Sequence, residues 1–352
     1  MRAVALETPH ATAPPLASGA KRPRLAFLGV GWIGTHRLQA VASSEVAEIV
    51  AVADASDEAT QRALAQVSKW APQVRAESVA RVLDEDLDGI VIATPSAQHA
   101  EQARAALERG LAVFCQKPLA RTASEAREVI AAARANDRLL GVDLSYRNVA
   151  GVEQMKALLA SGAIGAPFAA ELVFHNAYGP DKPWFYEVAS AGGGCLMDLG
   201  IHLIDLLLWM LDYPAIEHVS GALYRDGAPL RKPIETVEDY AHAELRLAGG
   251  AGARVACSWK LSAGCDAVIE ASFFGTRGAV RLRNVNGSFY DFRVEHCEGT
   301  RTRALSVPTR AWGDVAICEW ARRLASSPRF DPDAEHLLAV HRTLDVIYGR
   351  NA

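Results

Sequence analysis

The segment RLAFLGVGWIG, residues 24–34, decides the fold of the first half of the chain. A short apolar run is followed by Gly29, Gly31 and Gly34 in the spacing G-x-G-x-x-G, and a helical stretch continues to about Ala42. The first glycine permits a tight turn, the second lets a pyrophosphate approach the backbone, and the third lets helix and strand pack closely. The glycine spacing alone is a weak signal, but a preceding strand and a following helix are what a dinucleotide-binding motif requires.

Asp54 ends the next predicted strand, EIVAVAD, 20 residues after Gly34. An acid at this place accepts hydrogen bonds from the ribose hydroxyls of the adenosine, whereas a 2′-phosphate would face a carboxylate. No arginine follows at 55 or 56, so the sequence favours NAD over NADP as the cofactor. The alternative is an acid that only closes a turn at the strand end.

Apolar strands and helices alternate through the rest of the first half. Strands are predicted at GIVIATP, LAVFCQKP and RLLGVDLSYR, and helix starts at the N-cap Ser56 and at the capping box of Thr122 and Glu125. This alternation predicts an α/β domain, a Rossmann-type doubly wound parallel sheet, over residues 23–147. Residues 1–22, rich in Ala and Pro, are expected to be a disordered tail.

The pattern changes after about residue 147. One predicted helix, NVAGVEQMKALLASG, is followed by a strand, by the apolar segment GGGCLMDLGIHLID, and then by several short alternating runs with turn residues between them. Two helices end the chain. The pattern predicts an α+β domain over residues 148–352, with an open, mostly antiparallel sheet backed by helices.

Composition excludes several classes of protein. The net charge of −4 argues against a nucleic-acid binder, and no run approaches the roughly 18 apolar residues of a membrane span. The six cysteines show no CxxC or metal-ligand spacing. Reduced thiols in a cytoplasmic protein are therefore expected.

The segment GGGCLMDLGIHLID places Asp198, His202 and Asp205 in an apolar helix. Offsets of four and three residues stack these side chains on one face of an α-helix. Burying them without partners costs several kcal/mol, which leaves three explanations: a satisfied polar seam, a metal site or a proton-transfer site. Lys117, in CQKP, follows a parallel strand whose carboxyl end is a ligand-binding edge, where a lysine can stabilise charge on a reacting oxygen or simply be solvated.

The order of these motifs resembles the Gfo/Idh/MocA oxidoreductases, the family of glucose–fructose oxidoreductase and inositol dehydrogenase. The similarity extends over roughly residues 23–350 and rests on GVGWIG, ATPSAQH, the Lys-Pro pair and GGGCLMDLGIHLID, the most specific part. The resemblance implies a Rossmann domain, and a second domain whose sheet often forms dimers or tetramers. It also implies that Lys117, Asp198 and His202 are catalytic, with the helix of the latter two facing the nicotinamide across the domain cleft.

One residue departs from the family pattern. Gln116 stands where the family usually has glutamate before the lysine, so a negative charge is missing from that position. Asp205 is expected to be structural. A metal site is disfavoured, because no further cluster of ligand residues completes it and hydride transfer needs no metal.

The expected activity is hydride transfer between NAD and a ring carbon of a sugar, cyclitol or related polyol, with His202 as acid/base, Lys117 polarising the oxygen and Asp198 positioning it. Two alternatives are an NAD-retaining glycosidase or epimerase and a non-catalytic nucleotide-dependent regulator. The residues expected to bind the cofactor are Gly29, Gly31, Trp32, Ile33, Gly34, Asp54, Thr94, Pro95, His99, Gln116 and Lys117. Those expected to line the substrate site are His175, Asn176, Tyr178, Trp184 and Lys260.

Overall fold

The computed structural model describes residues 21–305 and 312–350, so most of the predicted tail lies outside the described residues. The chain forms two compact units: residues 21–120, 124–145 and 312–335 make the first, and residues 121–123, 146–305 and 336–350 make the second. The change of unit near residue 145 is close to the predicted boundary. The return of residues 312–335 to the first unit differs from the prediction.

The first unit is built on a parallel sheet whose order, β3-β2-β1-β4-β5-β6, is that of a Rossmann fold. Its strands in the described residues are β1 (Arg24–Leu28), β2 (Glu48–Ala53), β3 (Arg75–Ala76), β4 (Gly89–Ile92), β5 (Ala112–Cys115) and β6 (Leu140–Val142). The helices are α1 (Trp32–Ser44), α2 (Asp57–Val67), α3 (Ser96–Glu108), α4 (Ala123–Ala135) and α8 (Val315–Ser326). The order reverses between β1 and β4, which is where such sheets bind ligands.

Helix α8 explains why residues 312–335 belong to the first unit. Its apolar stripe buries Trp320 and Leu324 in the same core as Phe114 of β5, and the rings of Trp320 and Phe114 lie 5.6 Å apart. Gly141 of β6 makes room for the indole, because a Cβ there would come within 2.7 Å of it. An apolar stripe can pack on either sheet, so the sequence pattern could not predict which of the two sheets α8 covers.

The second unit is built on a sheet with the order β15-β14-β13-β12-β7-β11-β10-β8-β9. Its strands in the described residues are β7 (Pro167–Asn176), β8 (Ile216–Arg225), β9 (Ala228–Pro229), β10 (Tyr240–Leu247), β11 (Gly252–Ser258), β12 (Ala267–Gly275), β13 (Gly278–Asn284), β14 (Phe292–Glu298) and β15 (Arg301–Ala304). All neighbours are antiparallel except β7 and β11. The predicted fold class, a Rossmann sheet plus a mostly antiparallel sheet, is confirmed.

Helices cover one face of this second sheet and leave the other face open. They are α5 (Val152–Ala160), α7 (Ile201–Met210) and α9 (His336–Tyr348), and the short helix α6 (Val188–Ala191) precedes α7 in the chain. Along β10 buried and exposed residues alternate, as expected for a sheet with one covered face. The helical run Val188–Met210, 23 residues, is long and apolar enough to cross a membrane, but 94% of its most apolar part is buried within the fold, as in a core helix.

Candidate active site

The glycine loop after β1 has the geometry that its spacing predicts. Gly29 has φ +86°, and a side chain there would collide with the backbone at Ala93. A side chain on Gly34 would collide with the carbonyl oxygen of Gly29, so this glycine permits the close packing of α1 on β1. Gly31 instead faces open space: apart from its chain neighbours, no heavy atom of the described residues lies within 4 Å of the position that its Cβ would take.

The space beside Gly31 lies at the N-terminus of α1. The first turn of this helix holds no acidic residue, and the N-cap Gly31 supplies no side chain to its N–H groups. Trp32 is exposed and Ile33 is partly exposed. Backbone N–H groups at an uncovered helix N-terminus form a site for an anion such as a pyrophosphate, so this loop fits the phosphates of a dinucleotide.

Asp54 has a structural role in this loop. Its carboxylate accepts hydrogen bonds from the backbone N–H of Val30 at 2.8 Å and from that of Ser56 at 2.9 Å, one on each oxygen. The residue thus closes the turn and ties it to the glycine loop. A carboxylate has about four acceptor sites, so Asp54 keeps capacity for ribose hydroxyls.

Thr94 and Pro95 follow β4, and Lys117 follows the adjacent strand β5; all three are partly exposed at the carboxyl ends of these strands. His99 is different, since it is only 1% exposed. Its ring nitrogens lie 2.7 Å from the carbonyl oxygens of Pro118 and Thr94. Burial lowers the pKa of His99, and the contacts with these two carbonyls oppose that effect. His99 therefore ties the Lys117 segment to the Thr94 segment, and neither ring nitrogen is left for a cofactor.

Gln116, which stands in place of the family's glutamate, is part of a buried polar network. Its side-chain amide donates a hydrogen bond to the carboxylate of Asp143, which also accepts from Arg37 Nε at 2.6 Å. Asp143 is 1% exposed and lies just after β6. A buried carboxylate, that of Asp143, therefore lies against the side chain at position 116 and is paired with Arg37. The sequence pattern alone did not indicate this role for Asp143.

The segment that carries Asp198 and His202 is not a continuous α-helix. Residues Leu196–Gly200 form a π-helical turn, in which the backbone N–H of Ile201 donates to the carbonyl of Leu196, and only then does α7 begin. A π turn holds one extra residue, so side chains before and after it are rotated relative to an α-helical register. The expected stacking of Asp198, His202 and Asp205 on one continuous α-helix is therefore wrong.

The three polar side chains of this segment have different partners. Asp198 Oδ2 accepts a hydrogen bond from the indole N–H of Trp259 at 3.1 Å. The ring of His202, 7% exposed, packs against the ring of Tyr146 with 4.8 Å between centroids. Asp205 is held by Arg147 through a two-pronged ion pair. Since His202 contacts Tyr146 and Asp205 contacts the next residue, Arg147, both side chains face the same short segment of the chain.

Tyr146 connects the two catalytic candidates electrostatically. Burial raises the pKa of its phenol well above the usual value, and nearby Tyr290 and the negative charge of Asp198 raise it further. The ring also packs against Phe174 and Phe292, at 5.4 and 6.2 Å. The phenol therefore stays neutral and forms a wall against which the imidazole of His202 is oriented.

The start of the segment is fixed by the buried Glu238. Its carboxylate accepts hydrogen bonds from the backbone N–H groups of Gly194 and Leu196, at 2.9 and 2.8 Å, and from the hydroxyl of Tyr348 at 2.9 Å. Burial raises the pKa of Glu238, and these donors oppose the rise. A side chain on Gly193 would collide with Tyr348, and one on Gly194 with the backbone of Glu238. The glycines are needed so that this carboxylate can reach the backbone.

The expected substrate residues occupy the carboxyl end of β7 and the segments next to it. His175 Nδ1 lies 2.8 Å from the hydroxyl of Ser258, and burial lowers the pKa of His175. Lys260 Nζ lies 5.5 Å from the ring centroid of Tyr186. Trp184 stacks on Phe185, and Tyr178 is 37% exposed. Asn176 Oδ1 is buried and accepts no hydrogen bond within the described part of the chain.

A cavity of about 580 Å³ opens beside Trp259 in the second unit. Its floor is formed by side chains on the open face of the sheet, and its rim by the β8–β9 turn and by the chain that leaves β11. The main lining residues are Tyr224, Asp226, Asp239, Tyr240, Trp259 and Lys260.

Neither a metal cluster nor a disulfide is found within residues 21–305 and 312–350. No group of three or more His, Cys, Asp or Glu side chains there could hold a metal ion. All six cysteines are free, and the sulfurs of buried Cys195 and Cys257 lie 3.9 Å apart.

Comparison with known proteins agrees with this architecture. Residues 24–144 match the model of the oxidoreductase family with an NAD-binding Rossmann fold, and residues 152–281 match a GFO/IDH/MocA C-terminal domain. An inositol 2-dehydrogenase 3 from Saccharopolyspora erythraea is 32% identical over 265 residues, which cover 74% of this chain and 72% of that protein. The chain belongs to the Gfo/Idh/MocA oxidoreductase family. The family resemblance in the sequence is thereby confirmed.

Two further similarities differ in extent. A 1,5-anhydro-D-fructose reductase from Ensifer adhaerens is 40% identical over 145 residues, but the match spans only 39% of this chain and 43% of that protein. A solved levoglucosan dehydrogenase, in complex with NADH and levoglucosan, has a TM-score of 0.78 and 22% identity, and the match covers 94% of this chain and 97% of that one. Other solved structures of similar fold contain NADP.

Proposed function

We propose that this protein is an NAD-dependent dehydrogenase or reductase that acts on a ring hydroxyl or ketone of a sugar, cyclitol or related polyol. The observation that carries the proposal is the arrangement around α7, where a carboxylate and an imidazole are each held by an aromatic side chain. Asp198 is bound by Trp259, and His202 is packed on Tyr146. Both lie in a protein whose first unit has an open glycine loop for a dinucleotide.

Oxidation of an alcohol requires a base for the hydroxyl proton as a hydride leaves carbon. The bound cofactor supplies the hydride acceptor in the forward direction. His202 takes the proton, since a neutral imidazole can accept a proton on its ring nitrogen. Asp198 accepts a hydrogen bond from the substrate and keeps it in place, and Lys117 donates to the reacting oxygen and stabilises the charge that develops there.

NAD is the cofactor that we propose, with the loop of Gly29, Gly31 and Gly34 on the phosphates and Asp54 on the ribose. The relatives named above act on an inositol and on anhydro sugars, which supports a cyclic polyol as the substrate class. In keeping with the composition, we place the protein in the cytoplasm. We also propose that it forms a dimer or tetramer through the open sheet.

The test is the rate of NADH formation with a panel of sugars and cyclitols. We expect His202→Ala and Lys117→Ala each to lower kcat at least about a hundredfold with the cofactor affinity retained. His218→Ala serves as the matched control, because His218 is exposed on β8. Near-normal turnover in either catalytic variant would contradict these roles. Tightly bound NADH in the purified protein, with turnover that needs no added cofactor, would instead favour an epimerase or glycosidase.

A further inference from the structure

The last turn of helix α9 contacts the backbone that leads into the segment of Asp198 and His202. Arg350 lies two residues after the end of α9, and its guanidinium donates hydrogen bonds to the backbone carbonyls of Gly192 and Arg121, the latter at 3.0 Å. Gly192 precedes Asp198 by six residues in the chain. A side chain at Gly192 would come within 2.8 Å of the Cβ of Arg121. The glycine therefore allows one arginine to hold both carbonyls.

Arg350 is itself held by side chains of α9. Its guanidinium lies 3.4 Å from a carboxylate oxygen of Asp345, a residue whose side chain is only 2% exposed. The other oxygen of Asp345 accepts a hydrogen bond from the backbone N–H of Ala123 at 2.7 Å. The guanidinium also lies 4.3 Å from the ring centroid of Tyr348. These three residues, Asp345, Tyr348 and Arg350, are called the α9 clasp below.

The α9 clasp holds the same turn at a second point. The hydroxyl of Tyr348 donates to the carboxylate of Glu238, which in turn accepts from the backbone N–H groups of Gly194 and Leu196. The backbone N–H of Asp198 donates to the carbonyl of Gly194 at 3.0 Å. Both carbonyl and N–H groups of the turn are thus held, and the position of Asp198 depends on that of the turn.

A guanidinium is suited to this role, because it presents several N–H donors in one plane and can serve two carbonyls and a carboxylate together. Displacement of catalytic groups by about 1 Å can lower a rate about a hundredfold. We propose that Arg350 is a positioning residue for the reaction: it fixes the turn before Asp198 and His202, so that both meet the substrate hydroxyl in a reactive geometry. The proposal rests on the function proposed above.

The first experiment uses Arg350→Lys, which keeps a positive charge beside Asp345 but cannot hold two separate carbonyls in the same geometry. We expect kcat for the panel sugar or cyclitol that is oxidised fastest to fall about tenfold or more. The cofactor Kd and the urea midpoint should stay close to those of the parent. Arg329→Lys is the matched control, since Arg329 is exposed and pairs with Asp137 in the first unit. A lower urea midpoint with unchanged kcat would show a structural role only and overturn the proposal.

The second measurement needs no substrate. The imidazole of His202 lies 4.8 Å from the ring of Tyr146, so its NMR chemical shift depends on its position in the ring current. With ¹³C-labelled histidine, and with the signal assigned by its loss in His202→Gln, we expect the His202 resonance to move in Arg350→Lys but not in Arg329→Lys. An unmoved resonance would overturn the proposal. If no sugar or cyclitol is oxidised, the proposed function fails, and this resonance alone decides whether Arg350 positions His202.

Discussion

Arg147 forms a two-pronged ion pair with Asp205, which lies three residues after His202 in the chain. The Nε of Arg147 donates to Oδ2 of Asp205 at 2.8 Å, and Nη2 donates to Oδ1. Asp205 is only 2% exposed, so its charge depends on this one arginine within the described structure. The pair fixes α7 against the segment that also carries Tyr146.

Replacement of Arg147 by methionine should therefore be strongly destabilising. The change leaves the buried carboxylate of Asp205 unpaired, and we expect the free energy of unfolding to fall by about 3–5 kcal/mol, measured by urea denaturation. The double variant Arg147→Met/Asp205→Leu, which removes both charges, should recover much of the loss. An unchanged urea midpoint for the single variant would show that the pair carries little of the stability of α7.

Tyr146 should affect catalysis through the orientation of His202. Tyr146→Ala removes the wall 4.8 Å from the imidazole, and we expect kcat to fall about tenfold or more, with a changed pH–rate profile. Tyr146→Phe keeps the ring, so its kcat should fall much less than that of Tyr146→Ala. If the two variants have the same kcat and the same pH profile, ring packing does not orient the base.

The stability of the protein should depend on having only one acidic residue in the pair Gln116 and Asp143. Gln116→Glu would place a second buried carboxylate against Asp143 and Arg37, and the repulsion would raise the pKa of one carboxyl. A carboxyl with a raised pKa in the folded state stabilises the protein below its unfolded pKa and loses that contribution as pH rises. We therefore expect the variant to be less stable than the parent by about 3 kcal/mol near pH 8, with the difference shrinking on acidification.

The swap Gln116→Glu/Asp143→Asn provides the matched control for this pair. It restores one carboxylate and one amide beside Arg37, and we expect denaturation midpoints close to those of the parent at every pH. If Gln116→Glu is as stable as the parent at pH values around 8, the network tolerates two charges, and the hydrogen bond of Gln116 to Asp143 does not determine the residue at 116.

Asp54 should set the preference for NAD. Two like charges within a few ångströms repel by a few kcal/mol, so kcat/KM should favour NAD over NADP by about tenfold to several hundredfold. Asp54→Ser/Ala55→Arg should narrow or invert the ratio. Both cofactors should also bind more weakly in this variant, because the bonds to Val30 and Ser56 are lost. Equal use of NADP by the unmodified protein would mean that Asp54 only closes the turn.

The parts of the fold predicted well from sequence are those that depend on neighbours along the chain. The glycine loop, the parallel strands and the Ser56 cap, whose hydroxyl accepts from Ala59, are local patterns. The π turn could not be predicted, because it depends on Glu238, 42 and 44 residues from the N–H groups it holds. The roles of Tyr146 and Arg147 likewise depend on a helix 58 residues away. One signal in the sequence could have pointed to Asp143, namely an acidic residue within an apolar predicted strand. Tyr146 and Arg147 could have been noticed because they directly follow that predicted strand.

The position of α8 has a consequence for the order in which the protein is made. During synthesis the six parallel strands leave the ribosome early, but Trp320 and Leu324, which complete their core, follow only after the whole second sheet. Until then the apolar surface around Phe114 stays uncovered, and such surfaces are prone to aggregation. The first unit is thus the first to begin folding and cannot complete its core until Trp320 and Leu324 have been synthesised.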